Sequence, residues 1–176
     1  MQTYIAFLRG INVGGQKKIK MADLRVSLEQ AGFKNVQTYI QSGNLILDSH
    51  VEDLTELSQN VYKLILRDFG FEVPILIKTS VELSKILTNM PFLNAEEKNL
   101  YFTLLHGFPD EEWIKEFNAL RFKTEEFKLI DTCVYLNCKK GAGRAKLNNN
   151  LIERKLKVIA TTRNLRTMQK MIEFAG

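Results

Sequence analysis

Apolar positions along this chain fall into short runs punctuated by glycine, and the spacing within each run predicts its element. Tyr4 to Leu8 is continuous and then stops at Arg9-Gly10, as a buried strand feeding a loop does. Met21, Leu24, Leu28 and Ala31 recur at three, four and three residues, one face of a helix. Gly32-Phe33 closes that helix, since glycine takes the left-handed position after a last turn and the next apolar residue packs back. Val36 to Ile40 and Leu45 to Leu47 are β-prone and flank Gln41-Ser42-Gly43-Asn44, which predicts an antiparallel hairpin. Ser49 with Glu52 has capping-box spacing ahead of Val51, Leu54, Val61, Leu64, Ile65 and Phe69, and Gly70 ends that helix. Val73 to Ile77 is the next strand, completing a βαββαβ order.

Thr79 with Glu82 opens a short connector helix that runs out at Asn89-Met90-Pro91, because the residue before proline is driven from helical geometry. The pattern then recurs. Leu100 to Leu105 reads as a strand, Asp110 to Phe117 as an acid-led helix, and Phe127 to Ile130 and Cys133 to Cys138 as two further strands. Leu147, Leu151, Ile152 and Leu156 sketch another helix, giving βαββα. Thr161-Thr162-Arg163-Asn164 is read as the cap of a final helix, with Leu165, Met168 and Ile172 inward and Arg163, Arg166 and Lys170 on its solvent face. The expected fold class is α+β: tandem ferredoxin-like α/β plaits with antiparallel sheets and an extra C-terminal helix, unit 1 spanning residues 1–78 and unit 2 residues 79–176.

Composition narrows the class without naming a role. With 45% apolar residues and three prolines in 176 positions, the chain has the makings of a buried core and not of a disordered or fibrous protein. Charged residues interrupt every apolar stretch well short of a membrane span, and the N-terminus lacks the basic start and apolar middle of a secretory signal, so the expected setting is cytoplasmic. Cys133 and Cys138 sit five apart in one strand, on opposite faces, which disfavours a local disulfide.

Charge is segregated. Arg9 to Arg25 holds five basic residues and one acid, and Lys139 to Arg166 nine and one, on a body otherwise acidic although the chain nets +5. Both basic segments carry glycine, at Gly10, Gly14, Gly15, Gly141 and Gly143, and glycine lets backbone N–H groups converge on an anion while lysine or arginine supplies charge. Neither is a Walker or dinucleotide loop. His50 and His106 have no partner at metal-ligand or triad spacing, so no metal and no catalytic residue is assigned. The RNA-recognition domain shares the βαββαβ order, but the third strand here, Asn44-Leu45-Ile46-Leu47-Asp48, has no stacking aromatic.

The strings Tyr4-Ile5-Ala6-Phe7-Leu8-Arg9-Gly10-Ile11-Asn12-Val13-Gly14-Gly15 and Thr38-Tyr39-Ile40-Gln41-Ser42-Gly43-Asn44 closely resemble a mainly bacterial family, domain of unknown function 1697. Arg144-Ala145-Lys146-Leu147 and Thr161-Thr162-Arg163-Asn164 extend the resemblance, with Ala145 where that family usually has Ser. The resemblance implies two ferredoxin-like units and no assigned reaction or cofactor. The functional expectation is a module binding a phosphorylated or otherwise anionic small molecule where Arg9, Asn12, Gly14, Gly15, Gln41, Asn44, Arg144, Lys146, Arg163 and Asn164 converge. The rival readings are an enzyme acting on a phosphorylated metabolite and a nucleic-acid binder using an extended basic strip.

Overall fold

The first apolar run forms β1 (Gln2–Leu8), and its register explains why it is continuous instead of alternating. Tyr4, Ala6 and Leu8 enter the core shared with the helices, while Ile5 and Phe7 point to the other face and are buried as well. The helix predicted from the three–four spacing is α1 (Met21–Gln30), the hairpin is β2 (Lys34–Tyr39) and β3 (Asn44–Ser49), and α2 (Leu54–Phe69) leads to β4 (Ile75–Lys78). The strands pair in the order β2-β3-β1-β4, all antiparallel. Leu24 and Leu28 of α1 and Leu57, Val61 and Ile65 of α2 pack on Tyr4, Ala6, Leu8, Leu45 and Leu47. Each leucine, isoleucine or valine among them, fully withdrawn from water, contributes on the order of 1.5–3 kcal/mol.

In this computed structural model all 176 residues are described, and they divide into two units, Met1–Lys85 with Lys170–Gly176, and Ile86–Gln169. The closing residues count with the first unit through an edge-on ring contact of Phe174 with Tyr39, centroids 5.8 Å apart. The connector helix α3 (Ser80–Thr88) opens with the expected reciprocal cap: Glu82 N–H donates to Thr79 Oγ1 at 3.2 Å, and Thr79 N–H to Glu82 Oε2 at 2.8 Å. No helix is long and apolar enough to cross a membrane.

The second unit runs β5 (Leu100–Leu105), α4 (Glu111–Asn118), β6 (Glu125–Ile130), β7 (Cys133–Cys138), α5 (Asn149–Leu156) and β8 (Ala160–Asn164); α6 (Leu165–Ala175) follows, and its residues from Lys170 onward belong to the first unit. Its sheet is antiparallel in the order β6-β7-β5-β8. Val134, Leu136 and Cys138 meet Phe117, Ile152 and Leu156 across one face. Both cysteines are free, as their opposite facing requires.

Three local expectations are corrected. The cap of α2 is Asp53, whose Oδ1 accepts from Glu56 N–H at 2.7 Å, while Ser49 Oγ accepts from Val51 N–H at 3.1 Å and merely ends β3. Thr161-Thr162-Arg163-Asn164 is the body of β8, and its last residue alone caps the final helix, so the second unit is βαββαβ and not βαββα. Its strand character comes from pairing with β5 (Leu104 opposite Thr161, Tyr101 opposite Asn164) and from a hydroxyl bond of 2.8 Å between Thr103 and Thr162. With that, Arg163 is a buried strand residue and not part of a helical solvent face.

Candidate functional site

In the first unit, the basic loop follows β1 and is closed on itself by Asn12. This residue adopts φ +55°, which asparagine tolerates better than most. Its Nδ2 donates to the carbonyls of Ile19, at 3.0 Å, and Gln41, at 2.8 Å, and its Oδ1 accepts from Ile19 N–H at 2.9 Å. One side chain thus ties both ends of the loop to the β2–β3 turn. Between those ends Gly14 (φ +58°) and Gly15 (φ +77°) form a two-residue reversal, with Gln16 N–H on the Val13 carbonyl at 3.0 Å. Gly14 and Gly15 are exposed at its tip.

The turn that receives Asn12 is equally committed. Asn44, fully buried, donates through Nδ2 to the Tyr39 carbonyl at 2.9 Å and to Ser42 Oγ at 3.0 Å. Leu8 N–H reaches the Gly43 carbonyl at 2.8 Å, and Arg9 N–H the Pro74 carbonyl at 2.9 Å. Arg9, Asn12, Gly14, Gly15, Gln41 and Asn44 are therefore brought together at one end of the first sheet. The side chains of Asn12 and Asn44 are spent on holding that end together, while Gln41 stays exposed.

In the second unit, Arg144 and Lys146 lie on the loop between β7 and α5, both exposed, and neither side chain has a hydrogen bond or ion pair within the chain. The loop turns at Gly141 (φ +79°), where Gly141 N–H bonds to the Cys138 carbonyl at 2.8 Å. Its far end is fixed by Glu125: this buried carboxylate accepts the Lys146 N–H at 2.7 Å. Burial and the nearby Glu125 charge push the Cys138 thiol up to about 11. Glu125 was not singled out by sequence reasoning, and no spacing signal could have found it, since its partner is 21 residues away.

Asn148 then caps α5, accepting from Leu151 N–H at 3.0 Å. The next residue, Asn149, accepts from Thr162 Oγ1 at 2.9 Å and donates to the Ala160 carbonyl at 3.0 Å, tying the start of α5 to β8. Arg163 Nη1 donates to Thr161 Oγ1 at 2.8 Å and to the Thr162 carbonyl at 2.9 Å. Asn164 Oδ1 caps α6 by accepting from Thr167 N–H at 2.8 Å. The C-terminal ends of β7 and β8 lie at the same end of this sheet, with β5 between them, so the loop of Arg144 and Lys146 leaves from the end where Arg163 and Asn164 sit. Of these four, Arg144 and Lys146 are the pair with uncommitted charged groups. No group of three or more His, Cys, Asp or Glu side chains is placed to hold a metal ion.

The family model described as "Protein of unknown function (DUF1697)" matches residues 1–135. Among solved structures, the chain is similar to the conserved bacterial protein SP0830 from Streptococcus pneumoniae, with a TM-score of 0.76 at 21% identity, covering 99% of this chain and 98% of that one. At that identity the likeness speaks for the fold alone. No curated protein matches.

Proposed function

The chain belongs to the DUF1697 family, and we propose that it is a binding module for a phosphorylated small molecule, held on the β7–α5 loop of the second unit by Arg144 and Lys146. We read each unit as a ferredoxin-like plait; the βαββαβ order and the strand orders β2-β3-β1-β4 and β6-β7-β5-β8 support this. The observation that carries the ligand reading is position: Arg144 and Lys146 are exposed, have no ion-pair partner and stand two residues apart on one glycine-bearing loop. They also precede the first turn of α5, whose N–H groups favour negative charge. The nearby Glu125 carboxylate has its Oε1 occupied by the Lys146 N–H.

The test is a thermal-shift titration with pyrophosphate, AMP and ribose 5-phosphate, on the full chain and on the R144A/K146A double variant. A ligand present at about 100 times its dissociation constant stabilises the native state by about 2.7 kcal/mol. The expected result is a saturable rise in Tm with at least one probe and none in the variant. A rise that survives in the variant, or none with any probe, overturns the reading. Binding confined to mixed polynucleotides, with affinity falling steeply as salt rises, favours a nucleic-acid strip instead.

A further inference from the structure

A sheet edge is a row of unpaired backbone groups, and three of the four edges in this chain are blunted. In an antiparallel ladder, residues that exchange hydrogen bonds with the neighbouring strand alternate with residues whose N–H and C=O point outward. His106 N–H bonds to the Ile159 carbonyl at 2.9 Å, so the outward residues of β8 are Ala160, Thr162 and Asn164. Ala160 N–H donates to Glu153 Oε1 at 2.9 Å, its carbonyl accepts from Asn149 Nδ2 at 3.0 Å, and the Thr162 carbonyl accepts from Arg163 Nη1 at 2.9 Å. β4 is only four residues long, and its outward Ile75 carbonyl accepts from Ser58 Oγ at 2.7 Å. The β2 edge is broken by a register shift between Lys34 and Gln37.

β6 has none of these devices. It runs six residues in unbroken register with β7. Lys139 N–H bonds to the Thr124 carbonyl at 3.2 Å, which turns the backbone groups of Glu126, Lys128 and Ile130 toward β7 and those of Glu125, Phe127 and Leu129 outward. No side chain caps these outward groups. A cleft of about 350 Å³ lies along the strand, between Glu125 to Lys128 and the segment from Asn118 to Phe122, so the edge is reached from solvent.

The charges along β6 select what can pair with it. Two copies of the strand laid antiparallel about Phe127 match Phe127 with itself and Glu125 with Leu129, so each outward backbone group meets an outward group. The same register sets Glu126 of each copy opposite Lys128 of the other, on one face of the sheet. Sliding one copy by two residues, the smallest slip that keeps outward groups matched, opposes Glu126 to Glu126 in one direction and Lys128 to Lys128 in the other. Lys128 is exposed with no ion pair, and the Glu126–Lys139 pair at 3.3 Å is itself exposed and readily shared. We infer that the β6 edge is the docking surface for a second copy of this chain, in a two-fold antiparallel pairing centred on Phe127.

Sedimentation equilibrium on the full chain tests the assignment, and a monomer–dimer equilibrium is expected at concentrations up to about 1 mM. K128E faces Glu126 with a like charge and E126K does the same to Lys128, so each variant alone should self-associate about tenfold or more weakly. An equimolar mixture of the two should dimerise like the parent, because each copy then presents the charge that the other lacks. Should E126K lose its fold with the Asn137 and Lys139 contacts, the series parent, K128A, K128E decides, since Lys128 is exposed and the dimer should weaken at each step. A K128E dimer within about twofold of the parent, or a mixture no tighter than either variant alone, overturns the inference. So does a chain that stays monomeric throughout, which would leave this edge to an extended segment of another protein.

Discussion

Gly43 and Leu8 are in closest approach where the β2–β3 turn crosses the end of β1: the Leu8 N–H donates to the Gly43 carbonyl at 2.8 Å, and a Cβ placed on Gly43 would lie 2.6 Å from Leu8 Cβ and 2.9 Å from Ile11 Cδ1. Leu8 and Ile11 are both buried, so neither can swing aside. At Gly14, also of positive φ, nothing lies within 4 Å of the same added atom. G14A should therefore cost only the left-handed backbone penalty, about 1 kcal/mol, and G43A that penalty plus an overpacking cost of about 1–3 kcal/mol. Urea unfolding of the two variants measures the difference. Equal losses would mean that the contact at Leu8 contributes nothing.

Asn12 performs three hydrogen bonds with one side chain, and N12A leaves the Ile19 N–H, on a buried residue, without its acceptor. An expected loss of about 2–3 kcal/mol follows from the unmet donor together with the left-handed φ that alanine disfavours. Amide hydrogen exchange should locate the damage, with Ile19 losing protection while the strands of the second unit keep theirs.

Asp68 gives the first unit an acid-sensitive contact. Its carboxyl is held down at about 2 by hydrogen bonds from Arg67 and then from Ser27 Oγ. A carboxylate depressed below its unfolded value stabilises the native state above that unfolded value, and the contribution fades as pH falls through the folded one. Parent and D68N proteins should therefore differ most near pH 6 and converge between pH 4 and pH 2. A gap that stays constant across that window would assign the effect to packing.

Cys133 and Cys138 should both be inert in the native protein. Burial raises the Cys138 thiol to about 11, so it is protonated at pH 8 and shielded besides. Ellman's reagent at pH 8 should label neither cysteine until urea is added, after which two thiols per chain react. Because this folded value lies above the unfolded one, the associated stabilisation is complete below pH 9 and is lost as pH rises toward 11. Fast labelling of one thiol in the folded chain would show that its strand opens locally.

Much of the secondary structure was legible in the residues alone. Leu100–Leu105 and Cys133–Cys138 were bounded correctly, and the hairpin around Gln41 to Asn44 was placed, because apolar runs closed by glycine or turn residues carry their own period. β8 was not legible. Ala160-Thr161-Thr162-Arg163-Asn164 has a single aliphatic residue and the composition of a helix start, and it becomes a strand only through a neighbour some 59 residues earlier, as the Thr103–Thr162 bond shows. The same division runs through the basic segments. That Arg144 and Lys146 are cationic beside glycines could be read directly, whereas the engagement of Asn12, Asn44, Arg163 and Asn164 in holding loops, strand ends and caps could not.

Local pattern thus determined the periods, the turns and the charge map, since each depends on residues a few positions apart. Tertiary structure decided which polar atoms are spent and which remain, because a hydrogen-bond partner is chosen by distance in space. Glu125 reaching Lys146, and Asn12 reaching Gln41, are contacts that no spacing along the chain encodes.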